Sequence, residues 1–272
     1  MSMLSQIRRS AGLSLILLPG CALPLVWVEA SEEFTLPSAP IRRVQCNTTN
    51  GVIHVQGLRD TAAPVRVVVR KRAGGVDEAD ARLALAAIEV IRDNAADLLR
   101  LTWKWTTQND GWQASVGFAV TLPQDRPAEL ETSNGAVKVT DLAANTSVKT
   151  SNGGVELIRC TGDWQAATSN GSIAASGDPR SLALATSNGN VSAEIATQGP
   201  VQGRIKTSNG GIEFKTAAKT SVRVRGETSN GAATAGAAFK IHESGKHHVD
   251  ASRNGGEGVV TLDTSNGSIR IE

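Results

Sequence analysis

The sequence predicts an all-β protein: a β-solenoid of 18–21-residue coils with one helix in an N-terminal capping block. Three observations predict it. The tetrad Thr-Ser-Asn-Gly occurs seven times, its spacing is nearly constant, and the flanking residues alternate between apolar and polar. The composition agrees, since Gly accounts for 27 of 272 residues and aromatic residues for only 3%. Such a composition is typical of short strands joined by tight turns.

The tetrads begin at residues 132, 150, 168, 186, 207, 228 and 264, at intervals of 18, 18, 18, 21, 21 and 36 residues. A related turn, Thr48-Thr49-Asn50-Gly51, lies nearer the N-terminus, and the longest interval contains a degenerate turn at Asn254-Gly255. An interval of 18 to 21 residues is too short for a propeller blade. It fits one coil of a solenoid, in which equivalent residues of neighbouring coils stack about 4.8 Å apart. A meander of Asn-Gly hairpins is the alternative.

The residues after each tetrad alternate in polarity, as in Val137-Lys138-Val139, which predicts a strand with one buried and one exposed face. We expect Asn and Gly to form each corner because both tolerate positive φ, and stacked Asn side chains to form an amide ladder. The predicted structural turn residues are Asn50, Gly51, Asn134, Gly135, Asn152, Gly153, Asn170, Gly171, Asn188, Gly189, Asn209, Gly210, Asn230, Gly231, Asn266 and Gly267.

The first thirty residues predict an export signal, because two arginines precede an apolar run that prolines interrupt. Three outcomes stay open. Signal peptidase cleaves after Ala30; or Leu18-Pro19-Gly20-Cys21 acts as a lipobox and Cys21 is lipidated; or the segment remains as an uncleaved anchor. Each outcome places the following residues outside the cytosol, in the periplasm, the cell envelope or the cell surface.

Residues 31–130 are predicted to hold the first coil, a helix and capping strands, and residues 131–272 the repeats, with 36–130 continuing into the repeats as one domain. Strands are expected over residues 65–70, 98–105 and 114–122, and a helix from Asp77 to Ala96. The helix and capping strands are expected to cover the open end of the coil stack.

The serial Thr-Ser-Asn-Gly units follow a first turn unit ending in Val52-Ile53-His54-Val55, a strand, a helix and the segment Phe118-Ala119-Val120-Thr121-Leu122-Pro123. In this order the chain resembles the bacterial "putative adhesin" family of β-strand-repeat domains of unknown function, over about residues 40 to 272. The resemblance implies an envelope-associated, non-enzymatic protein, and it supplies no catalytic residues.

Candidate chemical groups are few. Cys46 and Cys160 fall on inward positions and are expected to be buried thiols, with a disulfide between them as the alternative. The cluster His242, His247 and His248 is spaced too loosely to predict a metal site, so we expect a solvated loop there. Trp103 and Trp105 share one strand face, which favours a role in the core of the cap over a sugar-binding platform.

Carboxylates were considered because β-helices also carry polysaccharide lyases and hydrolases. Glycoside cleavage requires two carboxylates at a defined separation. The positions of Asp60, Asp141, Asp163 and Asp178 within their units are scattered, so no catalytic pair, metal or cofactor is predicted. The basic row Arg204, Lys206, Arg223 and Arg225 is interspersed with acidic residues and is expected to be a solvated face.

The sequence therefore predicts a non-enzymatic, secreted or envelope-associated solenoid that serves as an adhesin-like scaffold or binding surface. The alternative is a polysaccharide lyase or hydrolase on a β-helix. The partner is expected to be an envelope polymer, a glycan or a protein. A net charge of +2 gives no field that would recruit nucleic acid, and membrane contact is expected only through the N-terminal signal or a lipid anchor.

Overall fold

The computed structural model describes residues 25–107 and 110–272, which form 21 strands and one helix. The chain is nearly all-β, and its strands are hydrogen-bonded into one large sheet. The elements are β1 (Val26–Leu36), β2 (Arg43–Asn47), β3 (Ile53–Leu58), β4 (Val65–Gly75), α1 (Glu78–Ala86), β5 (Ile88–Ala95), β6 (Leu98–Trp105), β7 (Gln113–Pro123), β8 (Ala128–Glu131), β9 (Val137–Thr140), β10 (Thr146–Lys149), β11 (Val155–Thr168), β12 (Ile173–Thr186), β13 (Val191–Ile195), β14 (Gln202–Lys206), β15 (Ile212–Thr216), β16 (Val222–Thr228), β17 (Ala233–Ala235), β18 (Lys240–Ser244), β19 (His248–Arg253), β20 (Gly258–Thr264) and β21 (Ile269–Ile271).

Successive repeat units pair in parallel and in register. In β11, Val155 lies opposite Val137 of β9 and Ile173 of β12, each 18 residues away in the sequence. The strand before each tetrad behaves in the same way, since Val148 of β10 lies opposite Leu130 of β8. Equivalent residues of neighbouring units therefore lie side by side. The five apolar side chains named above belong to one buried core.

The spatial order of the units departs from the chain order at both ends. β2 and β3 lie between β6 and β7 on one side and β8 and β9 on the other. At the far end, β20 and β21 lie between β14 and β15 on one side and β16 and β17 on the other. The last unit of the chain is thus the last but one in space.

Antiparallel strands cover both ends of the parallel array. β4 pairs with β7, and β1 in turn pairs with β4 along its whole length. β5 pairs with β6. At the other end, β19 pairs with β16 and β18 pairs with β19, so part of the 36-residue interval is a hairpin and not a further repeat. The degenerate turn directly follows β19, the second strand of this hairpin, and Asn254 in it has a φ of 49°.

The predicted helix is correct at its beginning and wrong at its end. Asp77 is the N-cap and accepts a hydrogen bond from the backbone N–H of Asp80, but α1 ends at Ala86. The residues from Ile88 to Ala95, expected to be helical, form β5. The physical reason is that the β-branched residues there favour an extended backbone, and Ala96, at a φ of 57°, reverses the chain so that β5 pairs with β6.

Both described cysteines lie in the core as free thiols. Cys46 has no exposed surface, and burial raises the pKa of its thiol to about 12. Burial also raises the pKa of the Cys160 thiol. The expectation of buried thiols agrees with this arrangement. Cys21 and the rest of residues 1–24 lie outside the described residues.

None of the helices in the described ranges combines the length and apolar character that crossing a bilayer requires.

Candidate binding surface

Each tetrad uses its threonine and glycine to hold the neighbouring turn at close range. The Thr hydroxyl donates to the carbonyl oxygen of the neighbouring turn's glycine, as Thr150 Oγ1 does to Gly135 at 3.1 Å. The bond recurs in all seven tetrads at 2.8–3.1 Å. A Cβ on any tetrad glycine would lie only 1.8–2.2 Å from the carbonyl oxygen of a glycine in the neighbouring turn. Glycine is therefore required because the two backbones approach so closely.

The structural reason for glycine in the tetrad differs from the reason predicted from the sequence. Positive φ was expected at the corner, but none of the tetrad asparagines and glycines in the described chain has it. The prediction was wrong because Asn-Gly is a strong signal for turns with positive φ, and a single sequence does not reveal how closely neighbouring backbones approach. At the degenerate turn the expectation holds, since Asn254 and Gly255 both have positive φ.

The asparagines of the turns form a continuous amide ladder. Asn152 Nδ2 donates to Asn134 Oδ1 at 2.7 Å, and Asn170 donates to Asn152 at 2.8 Å. Such bonds, between 2.6 and 2.9 Å, join all eight asparagines in the spatial order Asn50, Asn134, Asn152, Asn170, Asn188, Asn209, Asn266 and Asn230. The donors all point in one direction, so each bond polarises the next.

Particular residues complete the threonine ladder at its two ends. Thr48 donates to the carbonyl oxygen of Val116 at 2.6 Å and accepts from Trp103 Nε1 at 3.1 Å. At the other end no further tetrad follows Gly231, and His247 Nδ1 lies 2.8 Å from its carbonyl oxygen. A carbonyl only accepts, so Nδ1 must carry a proton. His247 thus replaces the missing threonine.

A groove that encloses about 580 Å³ crosses β6, β2, β8, β10, β11 and β12. It is bordered by the third and fifth residues before the threonine of each turn unit, which point outward between buried neighbours. Arg43 and Arg100 stand at the end near the cap, and Ser181 and Ala183 at the other. We call this feature the polar groove.

Three side chains in the middle of the polar groove form no hydrogen bond or ion pair with any described residue. They are Glu129 of β8, Ser147 of β10 and Gln165 of β11, which lie directly opposite one another in the register. Parallel pairing spaces them about 4.8 Å apart. A carboxylate, a hydroxyl and an amide are therefore presented in a row. Sequence reasoning missed these residues, although their shared position, three residues before each tetrad, could have revealed them.

The rim of the polar groove, in contrast, is fixed by internal bonds. Asp163 accepts from Arg180 at 2.9 Å and from Ser181 Oγ at 3.0 Å, and Asn145 Oδ1 accepts from the same guanidinium at 2.9 Å. At the cap end, Arg100 donates to Gln45 at 2.9 Å. A rigid rim around free central groups is an arrangement suited to binding.

A smaller groove of about 370 Å³ lies on the sheet formed by β1, β4, β7 and β3. Gly117, Ala119, His54, Arg70 and Ser115 are among the residues that line it. Burial, followed by the positive charges of Lys138 and Arg70, lowers the pKa of His54, so its imidazole is neutral at pH 7.

The four aspartates considered for catalysis lie in separate local structures. Asp141 accepts from Arg159 at 2.6 Å and from Gln56 at 2.8 Å. Asp60 accepts from a backbone N–H in its own turn, and Asp178 accepts from the Thr197 hydroxyl. The polar environment lowers the pKa of four carboxyl groups, which are Asp80 through Trp112, Asp141 through Arg159, Glu213 through Lys215 and Asp250 through Arg223. General acids require the opposite shift.

The arginines of the basic row have structural partners. In the basic row, Arg204 pairs with Asp263 at 2.8 Å, and Asp250 pairs with Arg223 at 2.8 Å and Arg225 at 3.4 Å. The histidine cluster belongs to the terminal hairpin: His242 lies in β18, His248 in β19 and His247 in the turn between them. Among the described residues no group of three His, Cys, Asp or Glu side chains is arranged to hold a metal ion.

The tryptophans of the N-terminal block contact one another and the core. The rings of Trp103 and Trp105 are 5.6 Å apart, and those of Trp105 and Trp112 are 5.8 Å apart. All three pack against the buried core. Their position agrees with the expected role in the core of the cap.

No protein-family model matches the chain, and no curated protein matches it. Solved structures do resemble it. A putative adhesin from Parabacteroides merdae has 8% identity and a TM-score of 0.46, with 90% of this chain and 96% of that chain covered. A putative lipid binding protein from Parabacteroides distasonis has 10% identity and a TM-score of 0.46, covering 90% and 96%. A putative cell adhesion protein from Clostridium sporogenes has 11% identity and a TM-score of 0.36, covering 89% and 98%. Structures described as putative adhesins thus recur among those that this chain resembles.

Proposed function

We propose that this chain is an exported, non-enzymatic β-solenoid whose polar groove binds a hydroxyl-rich envelope polymer such as a glycan. In this proposal residues 36–272 are one continuous domain that acts as an adhesin-like scaffold. The parallel, in-register pairing of units 18 and 21 residues apart supports the solenoid. The amide and threonine ladders support it as well, because they require equivalent residues to stack.

The observation that carries the binding role is the row Glu129, Ser147 and Gln165. Glu129 and Gln165 are exposed and Ser147 is half-buried, and none of the three bonds to another described residue, so all three are open to a partner from outside the protein. A carboxylate accepts hydrogen bonds from hydroxyl groups, and a side-chain amide both donates to them and accepts from them. Their even spacing along the stack suits a linear polymer that makes several weak contacts at once, so that affinity builds up from repeated contacts.

The alternative, a polysaccharide lyase or hydrolase, receives less support. Hydrolysis requires a carboxyl group that stays protonated near neutral pH, close to a second carboxylate. Asp141, Glu213 and Asp250 have lowered pKa values because cations or N–H donors face them. These groups stabilise strand edges and turns, which is a structural role.

The test is a binding screen of the exported full chain against immobilised neutral β-glucan, polygalacturonate, peptidoglycan and lipopolysaccharide, with lyase and hydrolase assays on the same samples. The variant Glu129→Ala/Ser147→Ala/Gln165→Ala should lose about 100-fold in affinity for the polymer that binds, since three hydrogen bonds are worth about 1 kcal/mol each. The matched control, Glu156→Ala/Ser192→Ala/Arg270→Ala, alters an outward row of residues that follow the tetrads on β11, β13 and β21, outside the polar groove, and should retain wild-type affinity. Equal losses in both variants would contradict the assignment of the polar groove.

A further inference from the structure

The groove of about 370 Å³ on the sheet of β1, β4, β7 and β3, called the small groove from here on, is lined by more positive than negative groups. Its charged residues are Arg70, Lys71 and Arg72 of β4 and one carboxylate, Glu29 of β1. Lys71 forms an ion pair with Glu32, and Arg72 Nε lies 3.4 Å from Glu29. Arg70, in contrast, forms no hydrogen bond or ion pair with any described residue. The small groove therefore contains a guanidinium that no described carboxylate neutralises.

The register of β1 against β4 explains why Arg70 has no partner. Along one face of β1 the successive residues are Glu29, Ser31 and Glu33. Ser31 lies directly opposite Arg70, so a hydroxyl occupies the position where a carboxylate would pair with the guanidinium. Arg66, on the same face of β4, does have such a partner, since it donates to Glu33 at 2.5 and 2.9 Å. The unpaired charge of Arg70 thus follows from one serine between two glutamates.

Small side chains on β7 leave space beside Arg70. The residues of β7 on this side of the sheet are Ser115, Gly117 and Ala119. Gly117 lies directly opposite Arg70, and a Cβ there would come within 2.9 Å of the Val52 carbonyl oxygen. The volume of the small groove is near the lower end of the range of about 300–1,000 Å³ that is typical of small-molecule sites. It therefore has room for a small organic ligand and not only for an inorganic ion.

His54 supplies a further polar group on the other side of β7. It lies opposite Ala119 in the register, and its imidazole forms no hydrogen bond with a described residue. Burial, followed by the positive charges of Lys138 and Arg70, lowers the pKa of His54. The ring is therefore neutral at pH 7, and the one ring nitrogen that carries a proton can donate a hydrogen bond.

We propose that the small groove is a second binding site, which takes an oxyanion, either a carboxylate or a phosphate ester, on a molecule about the size of a monosaccharide. Arg70 binds the anion through two parallel N–H···O hydrogen bonds, the arrangement for which a guanidinium is suited. The Ser31 hydroxyl and the His54 N–H donate to the other oxygen atoms of the ligand. The site is independent of polymer binding in the polar groove, which lies on a different set of strands.

The first experiment titrates the purified full chain with galacturonate, glucose 6-phosphate and glucose, and follows the backbone amide signals of Gly117 and Ala119 by NMR. Low ionic strength is used because salt screens exposed charges. We expect the anions to shift these signals to saturation and glucose to leave them unchanged. A response to only one of the anions identifies the preferred oxyanion. Glucose that is as effective as galacturonate, or no response to either anion, overturns the inference.

Three variants test the role of Arg70. Arg70→Ala should weaken anion binding about 10- to 100-fold, because charge-assisted hydrogen bonds are lost. Ser31→Glu keeps Arg70 but places a carboxylate directly opposite it, so binding should be abolished although every cation remains. The matched control, Arg66→Ala, removes the same charge from the same face of β4 outside the small groove and should bind like the wild type. Equal losses in Arg70→Ala and Arg66→Ala, or wild-type affinity in Ser31→Glu, overturn the inference.

Two further measurements separate this site from folding and from the polar groove. The melting temperature of Arg70→Ala should equal that of the wild type, since Arg70 has no partner to lose, so weaker binding in a stable variant reports on the site itself. The polar-groove variant Glu129→Ala/Ser147→Ala/Gln165→Ala should bind the anions as the wild type does. Loss of anion binding in that variant would contradict the independence of the two sites, whereas failure of the polymer screen alone leaves the small groove standing.

Discussion

The close approach of neighbouring turns predicts that replacing a tetrad glycine by alanine is severe. In Gly153→Ala the new Cβ would lie 1.8 Å from the Gly135 carbonyl oxygen, whereas real contacts of this kind are essentially never under 3.0 Å. The two turns must therefore separate by more than about 1 Å, which is too far for the hydrogen bonds between them to survive.

Three bonds between these turns would break. Thr150 Oγ1 donates to Gly135 O at 3.1 Å, Asn152 Nδ2 to Asn134 Oδ1 at 2.7 Å, and the Asn152 backbone N–H to Ser133 O at 2.8 Å. At about 1 kcal/mol each, with a further penalty for the buried threonine hydroxyl and glycine carbonyl, the total cost is about 3–5 kcal/mol. The melting temperature should fall by about 6–15 °C.

The assay is thermal unfolding followed by circular dichroism, and the next residue supplies the control. Gly154 has only the Ser172 carbonyl oxygen near a built Cβ, at 3.5 Å, so Gly154→Ala should change the free energy of unfolding by no more than about 0.5 kcal/mol. Gly153→Asn separates the two explanations of the corner, because asparagine tolerates positive φ but carries a Cβ. A Gly153→Asn protein as stable as wild type, or equal effects of Gly153→Ala and Gly154→Ala, would refute the reasoning.

Three further predictions follow from single groups. Two arginines lower the pKa of Asp250, so its contribution to stability is present above the unfolded pKa of about 3.8 and is lost as the pH falls through the lower folded value. In urea unfolding, Asp250→Asn should cost about 1 kcal/mol at pH 7, and this cost should shrink as the pH falls below about 3.8. Cys46 and Cys160 should not react with a thiol reagent at pH 8 until the protein is denatured, and a disulfide-linked peptide containing both would contradict their burial as free thiols. His247→Ala should speed amide hydrogen exchange in the terminal turn several-fold, whereas His242→Ala, which changes an exposed strand residue, should not; equal exchange in both would argue against the end-capping bond.

The sequence predicts the strands well because their signal is local. Alternation around each tetrad identifies the buried positions, and Leu98 to Trp105 form a strand with the expected bounds. The end of the helix was missed because the apolar pattern continues into Ile88 to Ala95, where the β-branched residues and the pairing with β6 give a strand. The spatial order of the units could not be predicted either, because β20 lies beside β14 through contacts between residues about 60 positions apart in the chain.

The candidate site was less predictable than the fold. The positions of Glu129, Ser147 and Gln165 recur three residues before each tetrad, but three different residue types occupy them. A search for converging catalytic groups therefore passes over them. What sets the three apart is that they lie side by side in one groove and bond to no other described residue, which only the three-dimensional structure shows.

The central claim, that the polar groove binds a polymer without transforming it, is tested most directly by one combined measurement. The purified full chain is incubated with the polymer that it retains in the binding screen, and the chain length of the recovered polymer is measured together with the affinity of the wild type and of Glu129→Ala/Ser147→Ala/Gln165→Ala. We predict a polymer of unchanged length and an affinity about 100-fold lower in the triple variant. Shortening of the polymer by the wild-type chain, abolished by a single Asp or Glu substitution, would contradict the account and favour an enzyme.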